Sequence, residues 1–349
     1  MIRPMELRRR IERAHAAAAR LPDPSADPDA FYGALVALLE RDGLAVTGAC
    51  WHLTDPLTGL FSWTGHRGEL PGDFQRALEN ELGERDVAKY AELAGRRAPV
   101  ARLVAETGGE PRRSPRYRRM LAPDGFGDEL RLAFVDPFGR WGSLGLFSER
   151  EFGADDEALA ASLVAPVARA LRDAAARTAP APGDGEEAPG VLLLDGADRV
   201  RSRDAVAERL LGGRARSGEL PGVVHVLAAR ARAAAGAVSG RTLGADGRWL
   251  TLDATPLLDE PDAVAIVLRP ATAPSLLPLR LRAAGLTARE REIALALLRG
   301  DDTGTIAASL HLSPWTVQDH LKAIFAKTGV RSRRAFVATW ALRTAGLEP

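Results

Sequence analysis

The chain has 349 residues, 46% of them hydrophobic and 27% charged, with a formal net charge of +1. That composition is soluble and globular, with length for two or three domains, and the single cysteine, Cys50, excludes a disulfide framework and a multi-cysteine zinc site. No apolar run reaches the roughly 18 residues of a membrane span, and charges stand where a signal peptide needs an apolar core, so the expectation is a cytoplasmic protein without a membrane partner.

From the N-terminus, "MIRPMELRRRIERAHAAAARL" predicts a short amphipathic helix within residues 1–27. "DAFYGALVALLERDG" predicts a second helix stopped by Gly43, and "LAVTGACWHLTDPLTGLFSWTG" predicts two strands joined at a Pro/Gly turn. After a helical middle, "ELRLAFVDPFGRWGSLGLFSE" predicts a hairpin turning at Phe138-Gly139. "ADDEALAASLVAPVARALRDAAAR" then predicts a helix with acids in its first turn and arginines toward its end, as the helix dipole favours.

Composition breaks at "AAARTAPAPGDGEEAPG", which reads as a solvated linker over 176–187. Beyond it, "GVLLLDGADRVRSRDAVAERLLGG" predicts strand, turn, short strand and helix. "AVSGRTLGADGRWLTLDATPL" predicts a strand pair around Asp246-Gly247, and "AVAIVLRP" a buried final strand. The prolines of "RPATAPSLLPLRLR" oppose regular structure and mark a second linker, 271–284.

The remainder, 285–349, reads as four helices. Thr287 and Glu290 form a capping box, Gly300 supplies a left-handed stop, and Asp302 caps a short second helix. Ser313 caps a third helix, Pro314 takes its first position, and Gly329 ends it. At 100° per residue Val317, Leu321, Ile324 and Phe325 share one face, while Asp319, Lys322, Ala323 and Ala326 point the other way. Two short helices, a tight turn and an exposed polar face make a helix-turn-helix, whose second helix enters a major groove. Charge agrees: residues 278–349 hold 11 Lys+Arg against 6 Asp+Glu, whereas residues 31–175 hold 18 against 22.

"LTAREREI" and "IAASLHLSPWTVQDHLKAIFAKTGVRSR" resemble the DNA-binding domain of the LuxR-type family of bacterial transcription regulators, over about 286–340. The resemblance implies that Gln318, Asp319 and Lys322 face bases, and that Ser313, Thr316 and Lys327 serve phosphates or the fit onto the backbone. It also implies double-stranded DNA, a second copy of the chain and RNA polymerase as partners, with half-sites about 10 bp apart. Asp319 has two readings: a local pair with Lys322, or an acceptor for a cytosine amino group. Phe336 and Trp340 likewise suit either a dimer seam or packing onto Val317 and Leu321.

Block one, 28–175, carries 14 of the 19 aromatics; its element order resembles GAF-like sensor domains, and block two, 188–270, a degenerate PAS-like fold. The expected architecture is therefore multidomain: an α+β sensor region followed by an all-α helix-turn-helix domain. An unknown small-molecule effector is expected in block one, with Trp51, Trp63, Phe126 and Trp141 as pocket candidates against the alternative that these rings are core. Cys50 and His52 can share one strand face, but a lone Cys-x-His does not define a metal site. A flavin-adduct site in block two lacks its cysteine, so no cofactor, metal or catalytic residue is expected. Two other function classes remain: a ligand-free dimerisation module carrying a DNA-binding domain, and an enzyme fused to a DNA anchor.

Overall fold

The computed structural model describes residues 4–177, 188–212 and 220–344. Helix α1 (Pro4–Ala18) is followed by α2 (Pro28–Arg41), whose N-cap Asp27 accepts from the backbone N–H groups of Asp29 and Ala30. The stripe Phe31, Leu35, Leu38 and Leu39 of α2 is buried, as its helical spacing requires. Strands β1 (Gly48–Thr54), β2 (Phe61–Gly68), β3 (Val100–Arg102), β4 (Asp128–Asp136) and β5 (Gly139–Ser148) form an antiparallel sheet in the order β2-β1-β5-β4-β3. Three further helices, α3 (Phe74–Leu82), α4 (Tyr90–Leu93) and α5 (Leu103–Glu106), lie between β2 and β4. One face of the sheet packs against α2 and the long α6 (Ala154–Arg177), with α1 laid on α6, around Tyr32, Trp51, Phe134 and Leu163.

A second antiparallel sheet contains β6 (Gly190–Leu194), β7 (Val200–Arg203), β8 (Val238–Leu243), β9 (Trp249–Pro256) and β10 (Val264–Pro270) in the order β7-β6-β10-β9-β8. Counted within each block, both sheets therefore share the order 2-1-5-4-3. Among the described residues, helices α7 (Ala205–Leu210) and α8 (Gly222–Ala234) complete this block, with α8 across the second sheet. The edge strands β2 and β8 meet, and Thr242 Oγ1 donates to the Ser62 carbonyl at 2.6 Å. Of the linker expected at 176–187, residues 176 and 177 are the end of α6, and 178–187 lie outside the described residues.

The second expected linker, 271–284, is corrected by the structure: α9 (Ala273–Ala283) is a helix. Thr272 caps it through the Ser275 N–H, Pro274 lies in the first turn where no donor is needed, and only Pro278 removes an internal hydrogen bond. Burial outweighs that loss. Leu276 and Leu279 insert into the first core while Leu281 enters the C-terminal core, so one helix is held on two sides. Arg282 Nη1 donates to the Pro56 carbonyl at 2.8 Å. Arg241 bonds both Asp55 (3.0 Å) and the Ser275 carbonyl (3.2 Å).

Four helices follow: α10 (Ala288–Leu298), α11 (Thr303–Ser309), α12 (Pro314–Thr328) and α13 (Arg333–Thr344). Their core holds Ile293, Leu297, Ile306, Val317, Leu321 and Ile324. Among the described residues no helix is long and apolar enough to cross a membrane.

Candidate nucleic-acid interface and internal cavity

The local signals of the last four helices are realised one by one. Thr287 Oγ1 accepts from the Glu290 N–H, and the Glu290 carboxylate accepts from the Thr287 N–H at 2.7 Å, closing the capping box. Asp302 caps α11 through the Thr305 N–H at 2.7 Å. The turn to α12 passes through His311 at φ 54, and the Ser313 hydroxyl accepts from the Thr316 N–H at 3.0 Å. Gly329, at φ 72, ends α12 in the left-handed region that a side chain would disfavour.

Of the predicted DNA residues, Gln318, Asp319 and Lys322 lie together and exposed on α12, opposite the buried Val317, Leu321 and Ile324. Gln318 Nε2 donates to Thr303 Oγ1 at 3.3 Å, and Lys322 Nζ donates to Asp319 Oδ1 at 3.0 Å. The local pairing of Asp319 with Lys322 is thus present. Ser313 and Thr316 sit at the N-terminal turn, their hydroxyls 2.8 Å apart. Lys327 is elsewhere: its ammonium donates to both Glu290 carboxylate oxygens, at 2.8 and 2.6 Å, and it borders a groove shared with Arg172 and Arg280. Burial works against the Glu290 charge, but the hydrogen bonds from Lys327 and Thr287 hold this carboxyl below its usual range.

Phe336 and Trp340 do not form an exposed seam. Both are buried, stacked at 5.7 Å, in the same core as Val317 and Leu321, with Phe325 6.1 Å from Phe336. The dimer assignment of these two rings is corrected. One residue that sequence reasoning passed over is Trp315, 77% exposed in the first turn of α12, with Lys322 Nζ 5.8 Å from its ring centroid. Its spacing to Gln318, Asp319 and Lys322 (i+3, i+4, i+7) was the available signal.

In the N-terminal region a cavity of about 650 Å³ lies on the sheet face that carries Cys50 and His52, with Asp29 of α2 and Leu220, Pro221 and His225 of the second block contributing to its wall. None of Trp51, Trp63, Phe126 and Trp141 lines it. Parity explains Trp51: side chains alternate, so Cys50 and His52 face the cavity while Trp51 points into the opposite core. Trp63 shares the face of Trp51 by regular pairing, since it stands opposite Leu53, and the register shift beyond it, between Leu53 and Thr54, returns Phe61 to the cavity side. Asp29 then receives both indole N–H groups, at 2.8 and 2.9 Å. Trp141 is skipped where Phe134 pairs with Gly142 and Val135 with Arg140, so it too turns to the opposite side, where it lines a small 30 Å³ void. Phe126 packs on Phe147, which does line the cavity.

The cavity floor is an ion cluster. Glu129, 1% exposed, accepts from Arg116 Nε and Arg131 Nε, both at 2.7 Å, and Arg131 also reaches Glu81 at 2.8 Å. Arg116 further meets Asp86 at 3.6 Å and the Asn80 side chain at 3.2 Å. Burial would raise the Glu129 carboxyl, yet Arg116 and Arg131 hold it below its ordinary value. His52 stacks on Phe61 at 4.0 Å, and its Nδ1 is 3.0 Å from Thr64 Oγ1. Burial, with Arg131 and Arg140 adding to it, lowers the His52 pKa to about 3, so the imidazole is neutral at physiological pH. Burial first, then Glu129, pushes the Cys50 thiol up to about 12. Among the described residues the buried Tyr90 hydroxyl finds no oxygen or nitrogen partner and neighbours the Cys50 thiol, and burial raises its pKa well above the ordinary phenol value. Among the described residues no group of three or more His, Cys, Asp or Glu side chains could hold a metal ion.

A short helix, a capped four-residue junction and a longer helix with a free polar face define a helix-turn-helix DNA-binding domain. Residues 284–339 match the family described as bacterial regulatory proteins, luxR family, and this segment is a LuxR-type domain. No curated protein matches the chain. Among solved structures, the chain is similar to the Vibrio cholerae VqmA–ligand–DNA complex, at 19% identity and TM-score 0.27, over 47% of this chain and 87% of that one. It is also similar to a phage VqmA–DPO complex, at 19% identity and TM-score 0.26, over 46% and 84%.

Proposed function

We propose that the protein is a homodimeric transcription regulator that inserts α12 of each subunit into successive major grooves and answers to a small molecule held in the 650 Å³ cavity. The observation that carries the DNA reading is the exposed face of α12 within a LuxR-type domain. Selection of duplexes by the full chain, followed by titration at two salt concentrations, tests it. Enrichment of a two-fold-related site bound by two subunits is expected, and enrichment of no sequence, or binding as a single subunit, refutes it.

The domain reading is GAF-like over 28–175 and PAS-like over 188–270, supported by the strand order the two sheets share. The helix-turn-helix domain is assigned to 285–349 and the N-terminal segment that carries α1 to 1–27, and α9 joins sensor to reader as a helix rather than a flexible tether. Because α9 is set in both cores, a ligand that shifts the first core also shifts the presentation of α12. RNA polymerase is then the partner through which bound DNA acts.

The effector class follows from the floor. Arg116 and Arg131 are already paired with carboxylates, and Cys50, His52 and Tyr90 are neutral, so among the described residues the floor offers an entering ion no unpaired counter-charge, Asp29 and Asp73 standing in the wall rather than in this cluster. Phe61, Phe74, Met120 and Phe147 supply apolar walls. A neutral, largely apolar molecule with one acceptor for the Tyr90 hydroxyl fits best. A thermal-shift comparison of tryptophol, tryptamine and indole-3-acetate separates neutral, cationic and anionic forms of one ring. Stabilisation by an ion in preference to tryptophol refutes this class.

A further inference from the structure

Trp315 is the one large apolar side chain on the face of α12 that carries Gln318, Asp319 and Lys322. At about 100° per residue the four span roughly one quarter to one third of the helix circumference. Val317, Leu321 and Ile324 hold the opposite side in the domain core. No packing inside the domain explains the indole: it is 77% exposed, and the cap of α12 is made by Ser313 and Thr316 without it. Single exposed apolar residues are ordinary on protein surfaces, so exposure alone says little. Position says more. In a helix-turn-helix the N-terminal residues of the second helix are the ones that reach base edges, and Trp315 is the second residue of that helix.

Its neighbours narrow the role. Lys322 is shared between the Asp319 carboxylate, at 3.0 Å, and the Trp315 ring, at 5.8 Å, so the ammonium and carboxylate largely offset one another at the centre of the face. Gln318, Asp319 and Lys322 offer donors and acceptors, which suit adenine, cytosine and guanine edges. The major groove has one apolar feature, the C5-methyl group of thymine. We propose that Trp315 is a specificity-determining residue of the DNA site and packs its indole against a thymine methyl group in each half-site. This rests on the DNA-binding reading given above.

The test uses the full chain and a duplex selected by it. Each thymine is replaced in turn by deoxyuridine, which removes only the methyl group, and the dissociation constant is measured by fluorescence anisotropy at fixed salt. For the wild type, a single deoxyuridine, at one thymine position of either half-site, is expected to weaken binding about fourfold, the worth of one buried methyl. Trp315→Ala is expected to bind the parent duplex more weakly by at least that factor and to ignore the same replacement, while Trp315→Phe retains part of the sensitivity. Thermal unfolding of Trp315→Ala checks that the exposed substitution leaves the domain folded. Wild-type affinity in Trp315→Ala, or a loss that leaves the deoxyuridine effect intact, overturns the methyl contact and assigns the indole to the sugar-phosphate backbone or to no contact. A wild type that selects no duplex overturns the DNA-binding reading itself, and this assignment with it.

Discussion

Replacing Glu290 by Ala removes two interactions at once, and the structure sets their size. Glu290 closes the capping box of α10 by accepting from the Thr287 N–H at 2.7 Å, a cap worth about 1 kcal/mol. The same carboxylate, with only 6% of its side chain exposed, takes the Lys327 ammonium at 2.6 and 2.8 Å. Lys327 keeps 35% of its side chain in solvent, so this pair lies between surface and buried limits and contributes about 1–2 kcal/mol. Together about 2–3 kcal/mol of local stability is at stake, which accelerates amide exchange in α12 roughly 30- to 150-fold. Hydrogen exchange at Leu321 to Phe325, in the full chain, measures it. An acceleration below threefold would falsify the claim that Glu290 and Lys327 join α10 to α12. The sign with pH is also set. The folded Glu290 carboxyl lies below its usual value, so its contribution is complete above the unfolded carboxylate pKa, near ~4.3, and is lost as pH falls through the lower folded value. Lys327→Ala should therefore loosen α12 and leave the salt dependence of DNA binding nearly unchanged. A drop of about one in the salt slope with α12 intact would instead make Lys327 a phosphate ligand.

Lys322→Ala should weaken binding to all duplexes and lower the salt slope by about 0.9, and an unchanged slope would remove Lys322 from the DNA contact. Asp319→Ala frees Lys322 from its 3.0 Å partner; a repeated site selection should change preference at one base pair if the acid reads a base, and an unchanged site reduces Asp319 to the partner of Lys322. Glu129→Gln leaves Arg116 and Arg131 facing each other without the shared charge and should cost about 3–5 kcal/mol, read as a lowered thermal midpoint. A shift of less than two degrees would show that the cluster contributes little. Cys50, held protonated up to about pH 12, should react with iodoacetamide at pH 8 more than ~1,000-fold slower in the native than in the denatured chain. Because its folded pKa is raised, stability falls as pH rises past the unfolded thiol pKa, about 8.5.

The sequence by itself determined the helix-turn-helix. Every signal there is local: Thr287 with Glu290, Asp302, Ser313 with Pro314, and Gly329 each act within a few residues, and the 3.6-residue period chose Val317, Leu321 and Ile324 for the core. The strands, too, followed from alternation and turn residues. Tertiary structure alone decided which side of the sheet each aromatic faces, because irregular pairing at Leu53/Thr54 and at Phe134/Val135 reverses the parity that alternation would assign to Phe61 and Trp141. It decided that α9 is a helix, since the burial that offsets Pro278 comes from two cores distant in sequence. It turned Lys327 to a partner 37 residues away and sent Phe336 inward. The cavity, finally, is walled in part where Leu220, Pro221 and His225 of the second block meet the first block's Phe61, Phe74 and Tyr90, a meeting of residues more than a hundred positions apart that no local pattern encodes.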